Sequence, residues 1–362
     1  MDLPAGTRNY TYAQDMAIFR TKTHWFLLLV LLAFLFTAPA WFDNYWLSVA
    51  NLVGITIIAV TGLNLLTGYC GQLSIGQAGF MAVGAYTSAI LVGRFNLPFP
   101  VAMLCAGVGA GVVGMLFGIP SLRVRGFYLA ISTIAAQFII VWVAQYWTGV
   151  TGGMSGMEVK PASIPIVSFS DGRLAFDTLV FRSQASEYFL ILVITIIAVY
   201  VAKNIARTRT GRAFVAIRDN DLAAETMGIN LFRYKLTAFF VGCFYAGIAG
   251  SLLAHTSRTV SPDYFPFTDS VLFIGMIIIG GLGTTVGPIF GVIFLQLLNV
   301  LVTKLSPALQ AAFPGLPPGF TSGIAPALFG LAIVLFLIFE PRGMSHRWQL
   351  FKAAYRYWPF SN

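Results

Sequence analysis

The chain has 362 residues, of which 57% are hydrophobic and only 10% are charged, and its formal net charge is +9. Soluble domains carry about 25% charged residues, so a soluble fold cannot hide this much apolar surface, and the bilayer is the expected solvent. In lipid every backbone polar group must be satisfied internally, which leaves helical bundles or closed barrels. The apolar runs do not alternate with polar residues, so the sequence predicts an all-α integral membrane protein.

Ten apolar runs have about the length of a membrane-spanning helix, roughly 20 residues. They cover 24–42, 46–66, 72–93, 97–120, 126–147, 187–203, 234–255, 268–283, 286–304 and 321–340. We expect 24–340 to form one polytopic transmembrane domain, with a cytoplasmic segment at 1–23 and a cytoplasmic tail at 341–362. The third and eighth runs are rich in glycine and polar residues, so each either crosses the membrane fully or re-enters from one side.

The basic residues indicate the orientation and explain the positive charge without nucleic acid as a partner. With the N-terminus inside, the inner segments hold 16 of the 22 Lys and Arg residues and the outer segments hold six. This distribution follows the positive-inside rule and places both termini in the cytoplasm. The triplet Ala38-Pro39-Ala40 resembles a signal-peptidase site, but the long polar segment before the first run favours a retained anchor.

The longest outer segment, 148–186, is rich in Gly, Ser and Pro, which predicts turns or a small lid. The sequence predicts neither a metal site nor a disulfide framework. The cysteines lie in or beside apolar runs and are interpreted as small buried hydrophobes, and the histidines lie at the ends of runs and are interpreted as interfacial residues. These residues are Cys70, Cys105 and Cys243, and His24, His255 and His346.

Two glycine series predict helices whose backbones pack closely, because glycine allows close approach in lipid. Two small-xxx-small pairs occur in one run, and a continuous G-xxx-G-xxx-G occurs in another. The pairs are Gly107 with Gly111 and Gly114 with Gly118, and the continuous series is Gly283, Gly287 and Gly291.

Polar residues interrupt two of the apolar runs. The stretch 61–86 combines amides and hydroxyls with glycines at a span boundary, and the run 126–147 carries Thr133 and Gln137 on one helical face. Unpaired amides are costly in hydrocarbon, and broken, glycine-rich helices expose backbone polar groups to substrates. The candidate residues of a translocation path are Asn64, Gln72, Ser74, Gln77, Thr133 and Gln137. The alternative is that they cap helix ends and tie neighbouring helices together.

The chain carries no recognisable catalytic machinery. No phosphate loop, HExxH, Ser/His/Asp set or paired carboxylate site occurs, so we predict no catalytic residue, no metal and no resident cofactor. The acidic residues nearest to spans lie at predicted span ends, whereas self-powered carriers usually need buried carboxylates. These acids are Asp43, Glu187, Asp269 and Glu340. A transporter of this kind takes its energy from another chain; a membrane-embedded enzyme and a self-powered carrier or channel are the alternatives.

The inner loop 204–233 is the only substantial one, and it is predicted to form two short helices. Small apolar residues recur there at helical spacing, with charges on the opposite side. Asp219 or Asn220 caps the second helix and Gly228 ends it. Small residues anchor weakly on lipid, so we expect the apolar face to fit a cleft in another protein; a helix on the lipid headgroups is the alternative. The apolar residues are Ala213, Ala216, Ile217, Ala224 and Met227.

Five stretches together carry a resemblance to a known family. They are "GLNLLTGYCGQLSIGQAGFMAVGAY" at 62–86, "RVRGFYLAISTIA" at 123–135, "GRAFVAIRDNDLAAETMGINLFRYKLTAF" at 211–239, "AGIAGSLLA" at 246–254 and "GGLGTTVGPIFGVI" at 280–293. In combination they resemble the LivM-type permease subunits of bacterial branched-chain amino-acid ABC importers. The resemblance covers about 60–335.

The resemblance implies a type II ABC importer-like fold with about ten transmembrane helices in the bacterial inner membrane. It implies four kinds of partner besides membrane lipid: a second related permease subunit, two P-loop ATPase subunits that hold ATP-Mg, and a periplasmic substrate-binding protein. Branched-chain or other hydrophobic amino acids are the implied substrates, although similar permeases carry urea, short amides or aromatic acids. The residues that match the coupling region are Gly211, Arg212, Ala213, Ala216, Arg218, Asp219, Ala224, Glu225 and Gly228.

Overall fold

The computed structural model describes residues 22–121, 127–170, 173–312 and 318–357. Its helices are α1 (Lys22–Thr37), α2 (Asn44–Leu63), α3 (Gln77–Phe95), α4 (Phe99–Ser121), α5 (Phe127–Tyr146), α6 (Thr148–Thr151), α7 (Gln184–Arg207), α8 (Arg209–Asp219), α9 (Asp221–Thr226), α10 (Leu231–Ser257), α11 (Phe267–Gly280), α12 (Gly287–Ala312), α13 (Pro318–Phe339) and α14 (Met344–Tyr357). Three parts of the sequence predictions lie outside the described residues: 1–21 of the N-terminal segment, 123–126 of the family motif and 358–362 of the tail.

The described helices confirm the predicted fold class. Eight of them are long and apolar enough to cross a membrane, and α13 with the start of α14 forms a ninth if this pair, bent by 45°, is one span. A shorter apolar helix, Trp25–Ala40, precedes them. The protein is therefore an all-α, multi-pass membrane protein with about ten apolar helices.

The third and eighth predicted spans differ from the observed helices at their ends. The third run was predicted from residue 72, but α3 begins at Gln77, because Gly71 has a φ of 71° and residues 71–76 form no regular helix. The eighth was predicted to reach 283, but α11 ends at Gly280 and Gly281 has a φ of 113°. Such positive φ values end a regular helix. Counted with the preceding 3₁₀ turn, the eighth helical stretch is long enough to cross the membrane.

Helix α10 lies at the centre of the bundle and packs against α2, α3 and α4. Glycine brings its backbone close to α3: a Cβ on Gly84 would lie 2.3 Å from the Cα of Gly247, and one on Gly250 would lie 1.9 Å from the carbonyl oxygen of Met81. These distances leave no room for any side chain, so α3 and α10 can approach this closely only because glycine stands at Gly84, Gly247 and Gly250.

The predicted glycine seam of α4 is confirmed. Its four glycines face α10, where a Cβ would meet the side chains of Phe244, Phe240, Cys243 and Phe239 at Gly107, Gly111, Gly114 and Gly118 respectively. The second series is only partly helical. Gly287 and Gly291 on α12 pack against Gly280 and Met276 on α11, but Gly283 lies in the preceding loop with a φ of 70°.

The outer segment contains more structure than the predicted turns. Strand β1 (Met157–Glu158) pairs with β4 (Thr259–Val260), and β2 (Ser163–Ser170) pairs antiparallel with β3 (Arg173–Val180), with Ser163 opposite Val180. The first pairing was not predictable from the local sequence, because the partner strands lie far apart in the chain.

Two side-chain predictions are wrong. Cys105 is exposed, because α4 turns its glycine face towards α10 and its other face outwards; Cys70 and Cys243 are buried as predicted. His255 is buried rather than interfacial, with its ring nitrogens 2.9 Å from Ser88 Oγ and 2.7 Å from the carbonyl oxygen of Lys160. Among the residues described, no cluster of His, Cys, Asp and Glu is suited to hold a metal ion.

Candidate coupling and translocation sites

The inner loop folds into the two predicted short helices, α8 and α9. The side chain of Asn220 accepts a hydrogen bond from the backbone N–H of Ala223 at 3.1 Å and so caps α9. Gly228 follows α9 with a φ of 84°, and the N–H of Ile229 donates to the carbonyl oxygen of Ala224 at 3.0 Å. This is the glycine-terminated helix end that the sequence indicates.

The apolar face of α8 is already occupied by its own bundle. Phe214 is 0% exposed, and its ring meets that of Tyr234 edge to face at 6.5 Å between centroids. Ala213 and Ile217 are buried beside it. The prediction that these small residues fit a cleft in another protein is therefore wrong, because Phe214 anchors this face on the chain itself.

Two further candidate coupling residues are also inaccessible to a partner. Ala224 is buried, and Gly211 is buried where a Cβ would lie 2.4 Å from the carbonyl oxygens of both Ile205 and Ala206. Gly211 allows α8 to turn sharply out of α7, and Ala224 allows α9 to rest on the bundle. Their presence shapes the helix pair, and other residues form its outer surface.

The outer surface of the helix pair carries apolar and charged side chains side by side. Leu222 is 57% exposed and Met227 is 84% exposed. Arg212, Asp219 and Glu225 are exposed around them, and Ala216 is half-buried. Sequence reasoning missed Leu222, whose signal was a large apolar residue among the charges of α9. Large exposed apolar side chains rimmed by charge are typical of a protein interface.

Arg218 connects this surface to the end of the apolar span Asn44–Tyr69. Its Nη1 donates to the carbonyl oxygen of Gly68 at 3.0 Å, and its Nη2 lies 2.9 Å from the carboxylate of Asp219. Its side-chain stem crosses Gly71, where a Cβ would lie 2.9 Å from Arg218 Cγ. The guanidinium group of Arg218 thus bonds both to its own helix pair and to the π-helical turn that follows α2.

Helix α2 continues directly into a π-helix, Asn64–Tyr69. Such wide turns are uncommon and occur frequently at functional sites. From this turn the Asn64 side chain reaches the loop before α12: Nδ2 donates to the carbonyl oxygen of Thr284 at 2.8 Å, and Oδ1 accepts from the N–H of Gly283 at 3.0 Å. We call Asn64, Gly68, Arg218, Gly283 and Thr284 the inner hub.

The other candidate path residues lie in or around the chain between the π-helix and α3. Gln77 Nε2 donates to the carbonyl oxygens of Ala59 at 2.9 Å and Gly242 at 3.3 Å. Gln72 and Ser74 are buried, and their side chains have no hydrogen-bond partner among the described residues. Their place on a path stays a prediction.

Thr133 and Gln137 on α5 fix the starts of two other helices. Thr133 Oγ1 accepts from the N–H of Ile75 at 2.9 Å. Gln137 Oε1 accepts from Ser270 Oγ at 2.5 Å and from the N–H of Gly79 at 3.3 Å, while its Nε2 donates to the carbonyl oxygen of Phe265 at 3.2 Å. These contacts match the alternative in which the polar residues tie helices together. Thr133 and Gln137 bond to residues at or just before the starts of α3 and α11.

The fold and the inner hub together define a class: a multi-pass membrane protein whose inner helix pair is hydrogen-bonded to the ends of its spans. Comparison with known proteins gives the family. The family described as "Branched-chain amino acid transport system / permease component" matches residues 45–338, so the chain belongs to this family. No solved structure matches.

Curated relatives agree with the family. The chain is 31% identical over 331 residues to the high-affinity branched-chain amino acid transport system permease protein LivM of Escherichia coli, covering 87% of this chain and 74% of the relative. It is 22% identical to the probable LivM of Methanocaldococcus jannaschii, over 80% and 90% of the two chains. A galactose/methyl galactoside import permease protein, MglC of Haemophilus influenzae, is 28% identical over 78% and 86%. The chain is thus a permease component of branched-chain amino acid ABC transport, and the resemblance seen in its sequence is confirmed.

Proposed function

We propose that this chain lines part of an ATP-driven inward path for branched-chain or other hydrophobic amino acids and that α8 and α9 receive the driving force. Its partners are a second related permease subunit, two P-loop ATPase subunits that hold ATP-Mg, and a periplasmic substrate-binding protein. Both termini lie in the cytoplasm of a bacterial cell, in whose inner membrane the chain is embedded. The chain itself carries no cofactor and catalyses no reaction.

One observation carries this proposal: the same helix pair has an exposed apolar surface and a hydrogen bond to the end of the apolar span Asn44–Tyr69. Leu222 and Met227 give an ATPase subunit apolar side chains to enclose. Arg218 then transmits a displacement of the helix pair to the carbonyl oxygen of Gly68. From the π-helix the displacement passes through Asn64 to the loop before α12.

The experiment that tests this proposal replaces an exposed apolar side chain of α9 by a charge. Met227→Asp is expected to reduce copurification of the ATPase subunits and leucine uptake, because a carboxylate does not enter an apolar cleft without a partner. The stability of the chain is expected to change by less than about 0.5 kcal/mol, since the side chain is exposed.

The matched control is Met154→Asp, which introduces the same charge at a 62% exposed methionine of the outer segment. It is expected to leave ATPase binding unchanged. Wild-type ATPase copurification and uptake in both Met227→Asp and Leu222→Asp would contradict the proposed role of α9.

A further inference from the structure

A cavity of about 180 Å³ lies between α2, α3, α11, α12 and α13. Most of its wall is apolar, including Ile55, Met81, Phe273, Leu295 and Phe329. A cavity of about 150 Å³ holds a benzene-sized molecule, so this one has room for a small organic ligand. Apolar walls with a few convergent polar groups are typical of small-molecule sites.

The polar residues of the wall are Asp269, Gln296, Asn299, Thr56 and Tyr264, and the Tyr264 hydroxyl already lies 3.0 Å from Thr259 Oγ1. Asp269 is half-buried in the first turn of α11, and neither it nor the two amides makes a side-chain hydrogen bond or ion pair with any described residue. Thr56 Oγ1 already donates to the carbonyl oxygen of Leu52 at 2.7 Å. None of the described residues that line the cavity is a lysine or arginine. A carboxylate in such surroundings is costly unless a cation joins it.

The depth of the cavity suits a ligand in transit. At 1.5 Å per residue, α11 rises about 16 Å from Gly280 to Asp269, and α12 rises about 14 Å from Gly287 to Gln296. Both helices begin this rise at the loop of the inner hub. This distance is about half of the roughly 30 Å thickness of a hydrocarbon core, and transporter substrates bind near the middle of the bilayer.

The arrangement favours an amphiphilic ligand over a bare metal ion. Metal cations such as Ca²⁺ surround themselves with several oxygen ligands, which would leave the larger, apolar part of the wall without a partner. Gln296 and Asn299 lie three residues apart on one face of α12, and their amides offer N–H donors to an anion as well as carbonyl oxygens. The cavity thus has a carboxylate for a cationic group, amides for an anionic group and an apolar wall for an aliphatic chain.

We infer that this cavity is a binding site for a zwitterionic aliphatic α-amino acid, with Asp269 holding its ammonium group, the amides of Gln296 and Asn299 its carboxylate, and the apolar wall its side chain. This inference rests on the proposed function and names the residues that recognise its substrate class. It also separates two layers of polar groups: Gln137 and Ser270 hold the wall in place from behind, and Asp269, the residue before Ser270 on α11, faces the ligand.

The test measures ligand binding to the assembled importer in lipid nanodiscs without its substrate-binding protein, and leucine uptake by the complete importer. L-Leucine is expected to raise the melting temperature of the wild-type complex. Isopentylamine, which keeps the ammonium group, is expected to raise it less, and 4-methylpentanoate, which lacks that group, is expected to have no effect.

Asp269→Asn is expected to abolish the leucine-induced shift and to slow uptake at least about tenfold, the loss expected for a charge-assisted bond. Asp269→Glu restores part of both. The control, Asp263→Asn, changes an exposed carboxylate of the nearby 3₁₀ turn Pro262–Tyr264 that does not line the cavity, and is expected to behave as wild type.

Three results would overturn the inference: wild-type uptake by Asp269→Asn, an equal shift with 4-methylpentanoate, or a shift produced by sodium ions without leucine. Failure of the proposed function looks different. In that case the complete wild-type importer takes up no hydrophobic amino acid at all, whatever residue stands at position 269.

Discussion

The inner hub and the cavity around Asp269 are both polar regions inside an apolar bundle, and they differ in whether their polar atoms have partners. In the inner hub, the side chains of Asn64 and Arg218 form hydrogen bonds with backbone groups and with Asp219. In the cavity, the side chains of Asp269 and Gln296 make no hydrogen bond or ion pair with a described residue. An unpartnered group in lipid costs stability, so the difference separates residues that hold the protein together from residues kept for a ligand.

The sharpest way to examine this difference compares two glutamines. Gln137→Leu leaves Ser270, the N–H of Gly79 and the carbonyl oxygen of Phe265 without their shared partner, so we expect the free energy of unfolding to fall by about 3 kcal/mol. Gln296→Leu removes no hydrogen bond within the described chain, and its expected change is below about 0.5 kcal/mol. Denaturant unfolding in detergent micelles measures both; equal losses would remove the distinction between a tied and a free amide.

A smaller effect is expected from the charge that joins the helix pair to the hub. Arg218→Lys keeps the charge but replaces the planar guanidinium group, which reaches Gly68 and Asp219 together, by a single ammonium group. If the substitution removes about 1 kcal/mol of the Arg218 contact, the amount of leucine taken up per ATP hydrolysed is expected to fall about fivefold. The matched control is Arg233→Lys, because Arg233 is exposed at the start of α10 and its side chain makes no hydrogen bond or ion pair with a described residue. Uptake and ATP hydrolysis are measured in the same proteoliposomes; an unchanged ratio in Arg218→Lys would refute transmission through Arg218.

The smallest expected effect concerns Cys70, which follows the π-helix. Burial, opposed by the nearby charge of Lys235, raises the pKa of the Cys70 thiol to about 12, whereas free cysteine has a pKa of about 8.5. In a Cys105→Ser, Cys243→Ser background we expect maleimide labelling at pH 8 to be slow. The labelling rate is expected to keep rising from pH 8 to pH 10, where an ordinary thiol levels off, because only the thiolate reacts. Fast labelling of Cys70 in the resting protein would show that the region beside the inner hub is open to solvent.

Much of the fold was predictable because its signals are local. Apolar runs of membrane-spanning length, the capping Asn220 and the terminating Gly228 each act within a few residues of their own position. The inner hub was not predictable in this way. Asn64 and Thr284 lie more than half of the chain apart, and nothing in the local sequence distinguishes a π-turn from the α-helix it continues.

The candidate sites show the same limit. Gln77, Thr133 and Gln137 stand out as polar residues in apolar runs, but composition does not say whether an amide faces a helix end or a ligand. Asp269 was predicted to lie at a span end, and it lies in the first turn of α11. The 3₁₀ turn Pro262–Tyr264 precedes it in the same apolar stretch, and the sequence did not indicate that this turn and α11 enclose a cavity. Ala213 and Ala224 have a helical spacing that indicates a buried face, but spacing does not say which molecule buries it.

The glycine crossings of α10 constrain how this protein can change shape. Where Gly84 meets Gly247 and Gly250 meets Met81, backbone lies directly on backbone, and no rotamer change can absorb a displacement. Helices α3, α4 and α10 are therefore expected to move as one rigid lever. Alternating access then has to open along the borders of this lever, where side chains rather than backbones are in contact. The surfaces at which helices can move relative to one another are therefore expected where side chains, and not glycines, form the contact.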